Sequence, residues 1–181
     1  MVLWRIAVET PDWEAHDLSG RDVKDKGGRW SQPGTPLVYA CRSIGVACLE
    51  TLVHLAPGEV PANRYLVRIH VPLDVWTSRA RFQTGIGWDA QPPGRVSQSW
   101  GMEWVRDRAC ALASVPSVIV PEETNVLINP RHPDARHVTA TKLRRWTYDL
   151  RLMSRASGGG GGGGAAPSAA PAKGRGGKPR S

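Results

Sequence analysis

Short apolar runs separated by proline and glycine make up most of the first 153 residues, and they are typical of β-strands. Residues 64–71 show the pattern best, because apolar side chains such as Val67 and Ile69 alternate with polar ones, as in a half-exposed strand. A similar alternation over residues 146–152 predicts a closing strand at the end of the fold. The clearest other strands are predicted at residues 37–41, 117–120 and 126–129.

Two stretches have the spacing and the end signals of helices. The first follows Ser43, a suitable N-cap, and runs over residues 44–55 before Pro57 and Gly58 stop it. The second covers about residues 101–113 and ends before Pro116. Strands mixed with a few helices predict an α+β fold.

Chain length and composition divide the protein into a domain at residues 1–153 and a tail at residues 154–181. The first part is long enough to bury one hydrophobic core without disulfides or metals. The tail contains seven consecutive glycines followed mainly by alanine, proline, glycine and basic residues. Such a segment cannot bury enough apolar surface to offset its ordering entropy, so we expect a disordered, Gly/Ala/Pro-rich basic tail.

A formal net charge of +8 would suggest a nucleic-acid partner if the charge lay on the domain. The tail carries five basic residues and no acid: Arg155, Lys173, Arg175, Lys178 and Arg180. The domain is therefore nearly balanced in charge, and we expect it to make no direct contact with nucleic acid.

Cysteine usage and the N-terminus indicate where the protein acts. The three cysteines, Cys41, Cys48 and Cys110, form no Cys-x-x-Cys pair, and an odd number argues against a disulfide framework or a zinc knuckle. The N-terminus reaches charge and proline too early for a signal peptide, and no later run could span a bilayer. We therefore expect a cytoplasmic protein with reduced thiols and no membrane contact.

Glu50 lies in the middle of the first predicted helix, on the same face as Val46 and Val53. A carboxylate in apolar surroundings is costly unless it is paired or hydrogen-bonded. Either Glu50 pairs with His54 one turn later on the helix surface, or it belongs to a functional site. Composition alone favours the surface pair.

Four other positions are of interest, although each also has a simple structural interpretation. Arg29 lies in GGRWS, where paired glycines permit unusual backbone angles or close approach to a ligand. Ser117 opens a predicted strand between two prolines, and Asn125 and Asn129 bracket the next strand. Taken alone, Arg29 is a surface arginine, Ser117 a turn residue and the asparagines loop formers.

Several common catalytic motifs are absent from the sequence or lack the required context. Residues 85–90 match G-x-G-x-x-A, but prolines and a glycine follow instead of a helix, so no dinucleotide-binding turn is predicted. The five histidines lack metal-ligand spacing, and neither a nucleophile elbow nor a P-loop occurs. Metal-dependent hydrolysis and ATP chemistry are therefore not expected.

Residues 27–55, GGRWSQPGTPLVYACRSIGVACLETLVHL, resemble the opening half of the RES family, whose pattern is GGRWN-x-x-G-x-x-VVY and then a helix with ALLE-x-x-VH. Residues 115–133 are similar to its second signature, and the resemblance extends over about residues 4–152. The arginine, glutamate and serine that name the family fall on Arg29, Glu50 and Ser117. Ser31 and Met102 stand where asparagine and aspartate are common.

The resemblance implies an ADP-ribosyltransferase-like fold with a mixed, mainly antiparallel β core and flanking helices. It implies a toxin of a toxin–antitoxin system that cleaves the nicotinamide–ribose bond of NAD⁺ by hydrolysis or phosphorolysis. NAD⁺ would be a consumed substrate, so no resident metal or organic cofactor is expected. The implied partner is an antitoxin with a helix-turn-helix DNA-binding domain, and a homo-oligomer is left open.

The same resemblance assigns roles to individual side chains. Arg29 and Glu50 are the predicted catalytic residues: Glu50 would bind a ribose hydroxyl and stabilise a cationic transition state, and Arg29 would bind the diphosphate. Tyr39 and Ser117 would contact the nicotinamide side of NAD⁺. Further predicted NAD⁺ contacts are Trp30 and Asn125.

Two alternatives to NAD⁺ degradation remain open from the sequence. One is transfer of ADP-ribose from NAD⁺ to a protein, because acceptor choice depends on surfaces that the sequence does not specify. The other is a non-enzymatic module that binds nucleic acid through the basic tail, or binds a partner.

Overall fold

A seven-stranded sheet organises the computed structural model, which describes residues 1–55, 61–149 and 151–152. The strands are β1 (Val2–Val8), β2 (Val38–Cys41), β3 (Arg64–His70), β4 (Ala80–Arg81), β5 (Leu112–Pro116), β6 (Thr124–Ile128) and β7 (Thr139–Arg145). They lie in the order β4-β5-β6-β2-β1-β3-β7. The β4–β5 pair is parallel and the other described pairs are antiparallel, which confirms the α+β fold with a mixed, mainly antiparallel sheet.

Helices connect the strands and cover parts of both faces of the sheet. They are α1 (Arg21–Lys24), α2 (Ile44–Leu52), α3 (Leu73–Thr77), α4 (Arg95–Asp107) and a short 3₁₀ helix (Pro133–His137). The predicted N-cap of α2 is confirmed, because Ser43 Oγ accepts a hydrogen bond from the Val46 amide at 3.1 Å. The helix ends at Leu52, three residues before the predicted end.

Apolar side chains pack on both faces of the central strands. On one face, Leu3, Val67, Ile69 and Val126 form a cluster with Val75 of α3. The other face carries two clusters. One packs α2 against β1 and β3 through Val46, Ala47, Ile6 and Leu66, and the other packs α4 against β5 and β6 through Trp104, Val105, Ala113 and Leu127. The central strands are thus buried on both faces.

The second predicted helix is displaced from the observed one. Its predicted range was about 101–113, whereas α4 spans Arg95–Asp107 and is followed by Arg108 in the left-handed region at φ 48°. The apolar residues after Cys110 form β5 instead, and Leu112 and Ala113 are fully buried there. Their apolar character reflects a central strand and not a helix face.

The prediction of a strand at residues 117–120 is wrong. Residues 118–120 form a bend, and the strand lies just before them as β5. Ser117 Oγ accepts hydrogen bonds from the amides of Ile119 and Val120, at 3.1 and 3.2 Å. Because a side chain satisfies these two amides, they do not join a strand ladder.

The closing strand is also misplaced in the prediction. Residues 146–149 have no assigned strand, and the last strand is β7, Thr139–Arg145, at the edge of the sheet beside β3. Most β7 side chains are exposed and polar, so the strand carries little hydrophobic signal. The observed β1 was not predicted, although it pairs with β3 along its whole length.

The predicted tail at residues 154–181 lies outside the described residues, and so does Met153. The boundary between domain and tail therefore stays a prediction. Across the described ranges, no helix is long and apolar enough to cross a membrane.

Candidate functional site

The candidate site lies on the sheet face that carries both α2 and α4, between the two helices. Antiparallel pairing puts Cys41 of β2 opposite Asn125 of β6, and Tyr39 opposite Leu127. Side chains at paired positions share a face of the sheet. This register therefore places Tyr39, Cys41 and Asn125 on the face to which α2 adds Glu50.

Two side chains from distant parts of the chain hold the carboxylate of Glu50. Ser117 Oγ donates to Glu50 Oε1 at 2.8 Å, and Asn125 Nδ2 donates to the same oxygen at 2.5 Å. Both donors converge on one oxygen, and among the described residues no hydrogen bond engages Oε2. Glu50 is thus fixed in direction, with one oxygen left to receive a ligand.

The loop after β5 positions Ser117 for this contact. Ser117 is fully buried, and its amide donates to the carbonyl of Glu123 at 3.0 Å, which closes the loop between β5 and β6. Its hydroxyl oxygen also accepts from the two loop amides, Ile119 and Val120. Since these donors occupy its lone pairs, the hydroxyl proton is directed at Glu50.

Asn125 is held at both ends of its side-chain amide. Nδ2 donates to Glu50, and Oδ1 accepts from the thiol of Cys41 at 3.2 Å. Burial, with the nearby negative charges of Glu50 and Glu123, raises the pKa of Cys41 to about 12. The thiol therefore stays protonated at neutral pH and remains a donor.

Tyr39 is close enough to both predicted catalytic charges to be affected by each of them. Its hydroxyl oxygen accepts from the Trp30 amide at 3.2 Å, which leaves the hydroxyl proton to be donated elsewhere. Burial raises the pKa of Tyr39, while the hydrogen bond from the Trp30 amide, the Ser31 side chain and the positive charge of Arg29 lower it, and the negative charge of Glu50 raises it. A side chain at Gly28 would place its Cβ 2.7 Å from this hydroxyl, so glycine there lets the loop approach Tyr39 closely.

The guanidinium of Arg29 is anchored through one of its nitrogens. Nη1 donates to the carbonyls of Trp88 and Ala90, at 3.2 and 2.9 Å. Among the hydrogen bonds of the described residues, none engages Nε or Nη2. This arrangement orients the guanidinium and leaves its Nε–Nη2 edge available for two parallel hydrogen bonds to an anion.

The ring of Trp30 lies in an aromatic cluster beneath the site. It is 2% exposed and contacts the rings of Phe82, Trp88 and Trp100, with centroids 4.7, 6.5 and 5.6 Å away. The cluster fixes the loop that carries Arg29 to the segment that supplies the Trp88 and Ala90 carbonyls. In this structure Trp30 contributes to the site through its amide, which donates to Tyr39.

The structure therefore joins Glu50, Ser117 and Asn125 by hydrogen bonds, and the charges of Arg29 and Glu50 both act on Tyr39. Glu50 contacts residues far along the chain, and the surface pair with His54, the alternative that composition alone favoured, is not formed among the described residues. Sequence reasoning missed Cys41, treated as structural, and the carbonyls of residues 88 and 90. The strand alternation that places Tyr39 and Cys41 on one face was the available signal for Cys41.

Met102, one of the departures from the family pattern, accepts two hydrogen bonds. Its Sδ accepts hydrogen bonds from the Gln32 amide at 3.4 Å and from the Thr35 hydroxyl at 3.3 Å. A thioether is a weak acceptor, and a carboxylate at this position would accept from the same kind of donors more strongly. Met102, where aspartate is common in the family, therefore still provides a hydrogen-bond acceptor for Gln32 and Thr35 in the loop after Ser31.

Comparison with known proteins identifies the family of this chain. Residues 2–151 match the RES domain family. A protein of Sphingobium sp. (strain YBL2), named Prs ADP-ribosylating toxin, is 53% identical over 156 residues, which cover 84% of this chain and 97% of the relative. Toxin Res of Pseudomonas putida is 41% identical over 139 residues, covering 75% of this chain and 89% of the relative. Toxin Res of Photorhabdus laumondii is 33% identical over 142 residues, covering 75% and 87%.

The mixed, mainly antiparallel sheet with its flanking helices defines an α+β domain, whose candidate site holds a helix-borne glutamate through Ser117 and Asn125. The chain belongs to the RES domain family of toxins. The resemblance to the RES family seen in the sequence is thereby confirmed. The roles of the individual site residues remain predictions.

Proposed function

We propose that this chain is an enzyme that cleaves the nicotinamide–ribose bond of NAD⁺, with Glu50 as the central catalytic residue. The observation that carries the proposal is the carboxylate of Glu50, fixed through one oxygen by Ser117 and Asn125 while no hydrogen bond of the described residues engages the other oxygen. Such preorganisation is what stabilisation of a developing charge requires.

The chemistry explains why a fixed carboxylate is needed. When the C1′–N bond breaks, the electron pair leaves with the nicotinamide nitrogen, and nicotinamide departs neutral. The ribose ring is left with positive charge, as in glycoside hydrolysis. A carboxylate held beside the ring stabilises that charge, and its free oxygen can accept a ribose hydroxyl. The acceptor then bonds to C1′ and releases its proton.

Arg29 and Tyr39 complete the proposed NAD⁺ site. The free Nε–Nη2 edge of Arg29 suits the diphosphate, which offers pairs of anionic oxygens to a planar guanidinium. Tyr39 can donate its hydroxyl proton to the substrate because its oxygen already accepts from Trp30. Ser117 and Asn125 support the site through Glu50 in this proposal, since their donors already engage that carboxylate.

A protein is the acceptor that the comparisons favour. The relative that is 53% identical is named as a toxin that ADP-ribosylates Prs, and the match covers 97% of its length. We therefore propose transfer of ADP-ribose to a protein such as Prs. Hydrolysis and phosphorolysis of NAD⁺ are the competing outcomes.

We also propose an antitoxin with a helix-turn-helix DNA-binding domain as the partner, in keeping with the toxin names of the relatives. NAD⁺ is consumed in every version of the reaction, so the proposal includes no resident cofactor. Growth arrest on expression of the chain, relieved by co-expression of such a partner, is the cellular outcome that this proposal expects.

The decisive experiment follows nicotinamide release from NAD⁺ by the full chain in three parallel reactions: buffer alone, added phosphate, and added Prs. Release stimulated by Prs, with a gain in Prs mass that matches ADP-ribose, supports protein transfer. Release in buffer alone indicates hydrolysis, and release that needs phosphate indicates phosphorolysis. No release in any reaction contradicts the proposed cleavage.

Replacing Arg29 with lysine is expected to raise the KM for NAD⁺ about tenfold and to change kcat much less. Lysine keeps the charge but loses the planar edge, and a charge-assisted hydrogen bond contributes roughly 1.5–3 kcal/mol. Steady-state kinetics of nicotinamide release measure both constants. Arg95→Lys, at an exposed position, is the matched control. An unchanged KM in Arg29→Lys would contradict the diphosphate role.

A further inference from the structure

A chain of hydrogen bonds runs from the interior of the sheet to Glu50. The Cys41 thiol donates to Asn125 Oδ1 at 3.2 Å, and Asn125 Nδ2 donates to Glu50 Oε1 at 2.5 Å. Cys41 and Asn125 are direct partners in the β2–β6 pairing, and both side chains are buried. The thiol is therefore two hydrogen bonds away from the proposed catalytic carboxylate.

The direction of the Asn125 amide decides whether Glu50 is held or repelled. An asparagine side chain has a donor end and an acceptor end, and the two ends have almost the same shape. If the amide turned over, Oδ1 would face Glu50 Oε1, and two acceptors would oppose each other in a buried place. Glu50, as an acceptor, itself favours the observed orientation, and a donor at the other end of the amide adds a second preference for it.

Cys41 supplies that preference because it has a proton to donate. Burial and the charges of Glu50 and Glu123 keep its pKa far above neutral, so the thiol is protonated when the enzyme works. A protonated thiol is a donor, and it is satisfied by Oδ1 and not by the amide NH₂. One of these two negative charges belongs to Glu50, the carboxylate to which the Asn125 amide donates its hydrogen bond.

We propose that Cys41 is a positioning residue, which orients the Asn125 amide so that its NH₂ group holds Glu50 in the geometry required for cleavage of NAD⁺. This inference rests on the proposed function for its catalytic consequence. Its structural part, the orientation of one amide, can be measured without any reaction. Cys41 has no contact with substrate in this role.

The test compares Cys41→Ala, Cys41→Ser and the control Cys48→Ala in the full chain. Loss of an outer partner of a catalytic group commonly lowers activity by about 10- to 100-fold. We expect Cys41→Ala to lower kcat for nicotinamide release about tenfold, with KM unchanged because the NAD⁺ contacts remain. Cys41→Ser keeps a donor and should restore most of kcat. Cys48→Ala removes a thiol from α2 outside this hydrogen-bonded chain and should retain wild-type kcat.

A second readout follows the side-chain NH₂ signals of Asn125 by NMR. These signals should shift in Cys41→Ala and remain near their wild-type positions in Cys41→Ser and Cys48→Ala. Wild-type kcat and unshifted signals in Cys41→Ala would overturn the inference, and so would an equal loss of kcat in a folded Cys41→Ser. If the wild-type chain releases no nicotinamide with any acceptor, the proposed function fails. The Asn125 signals then decide the inference alone.

Discussion

Replacing Glu50 with glutamine is expected to reduce nicotinamide release from NAD⁺ by about a thousandfold without unfolding the protein. Glutamine has nearly the same shape as glutamate and keeps an oxygen that can accept from Ser117 and Asn125. It lacks the negative charge that stabilises the cationic ribose. The loss should appear in kcat, since the charge acts in the transition state.

The measurement is steady-state nicotinamide release by purified Glu50→Gln, together with its thermal unfolding curve. Glu122→Gln provides the same chemical change at an exposed position of the β5–β6 loop and should leave kcat unchanged. A melting temperature close to that of the wild type would assign the loss to chemistry. A Glu50→Gln variant that retains kcat would remove Glu50 from the proposed catalytic role.

The sequence predicted the parts of the site whose signals are local. The apolar run at β2, the alternation along β3 and the Ser43 cap of α2 depend on neighbouring residues, so these elements were found close to their observed bounds. Arg29, Glu50 and Ser117 were singled out because motif order identified them. Their interactions were not predictable, since Ser117 and Glu50 are separated by 67 residues.

The misplaced elements show what a local pattern cannot distinguish. Residues 117–120 are rich in β-branched side chains, but the hydroxyl of Ser117 satisfies two of their amides and produces a bend. The apolar residues after Cys110 fit a helix or a buried strand equally well. They form the strand β5 because they are buried between two layers. β7 is polar because it lies at a sheet edge, so its pairing with β3 defines it as a strand.

Cys41 was missed for a related reason. A buried cysteine on a strand is ordinarily a small apolar core residue. Its second role depends on Asn125, which lies 84 residues later and is brought opposite by the β2–β6 register. Only the pairing of the strands shows that the thiol faces an amide, and that this amide faces Glu50.

Replacing Gly101 with alanine is expected to destabilise the protein by about 3 kcal/mol, the upper part of the range for overpacking. A Cβ at this position of α4 would lie 2.0 Å from the Trp30 carbonyl oxygen and 2.8 Å from its carbon. Both are backbone atoms, and the aromatic cluster around the Trp30 ring restricts their movement. The clash outweighs the helix propensity of alanine, which would otherwise stabilise by about 1 kcal/mol.

Urea denaturation of Gly101→Ala and of the control Gly45→Ala measures this difference. Gly45 lies in α2, and a Cβ there would meet no atom within 4 Å, so alanine should stabilise that variant. A lower denaturation midpoint for Gly101→Ala beside a higher one for Gly45→Ala is expected. Equal or greater stability of Gly101→Ala would show that the loop yields easily.

Because Trp30 directly follows Arg29, any Gly101→Ala protein that folds should also bind NAD⁺ more weakly, which links the packing of α4 to the proposed diphosphate contact.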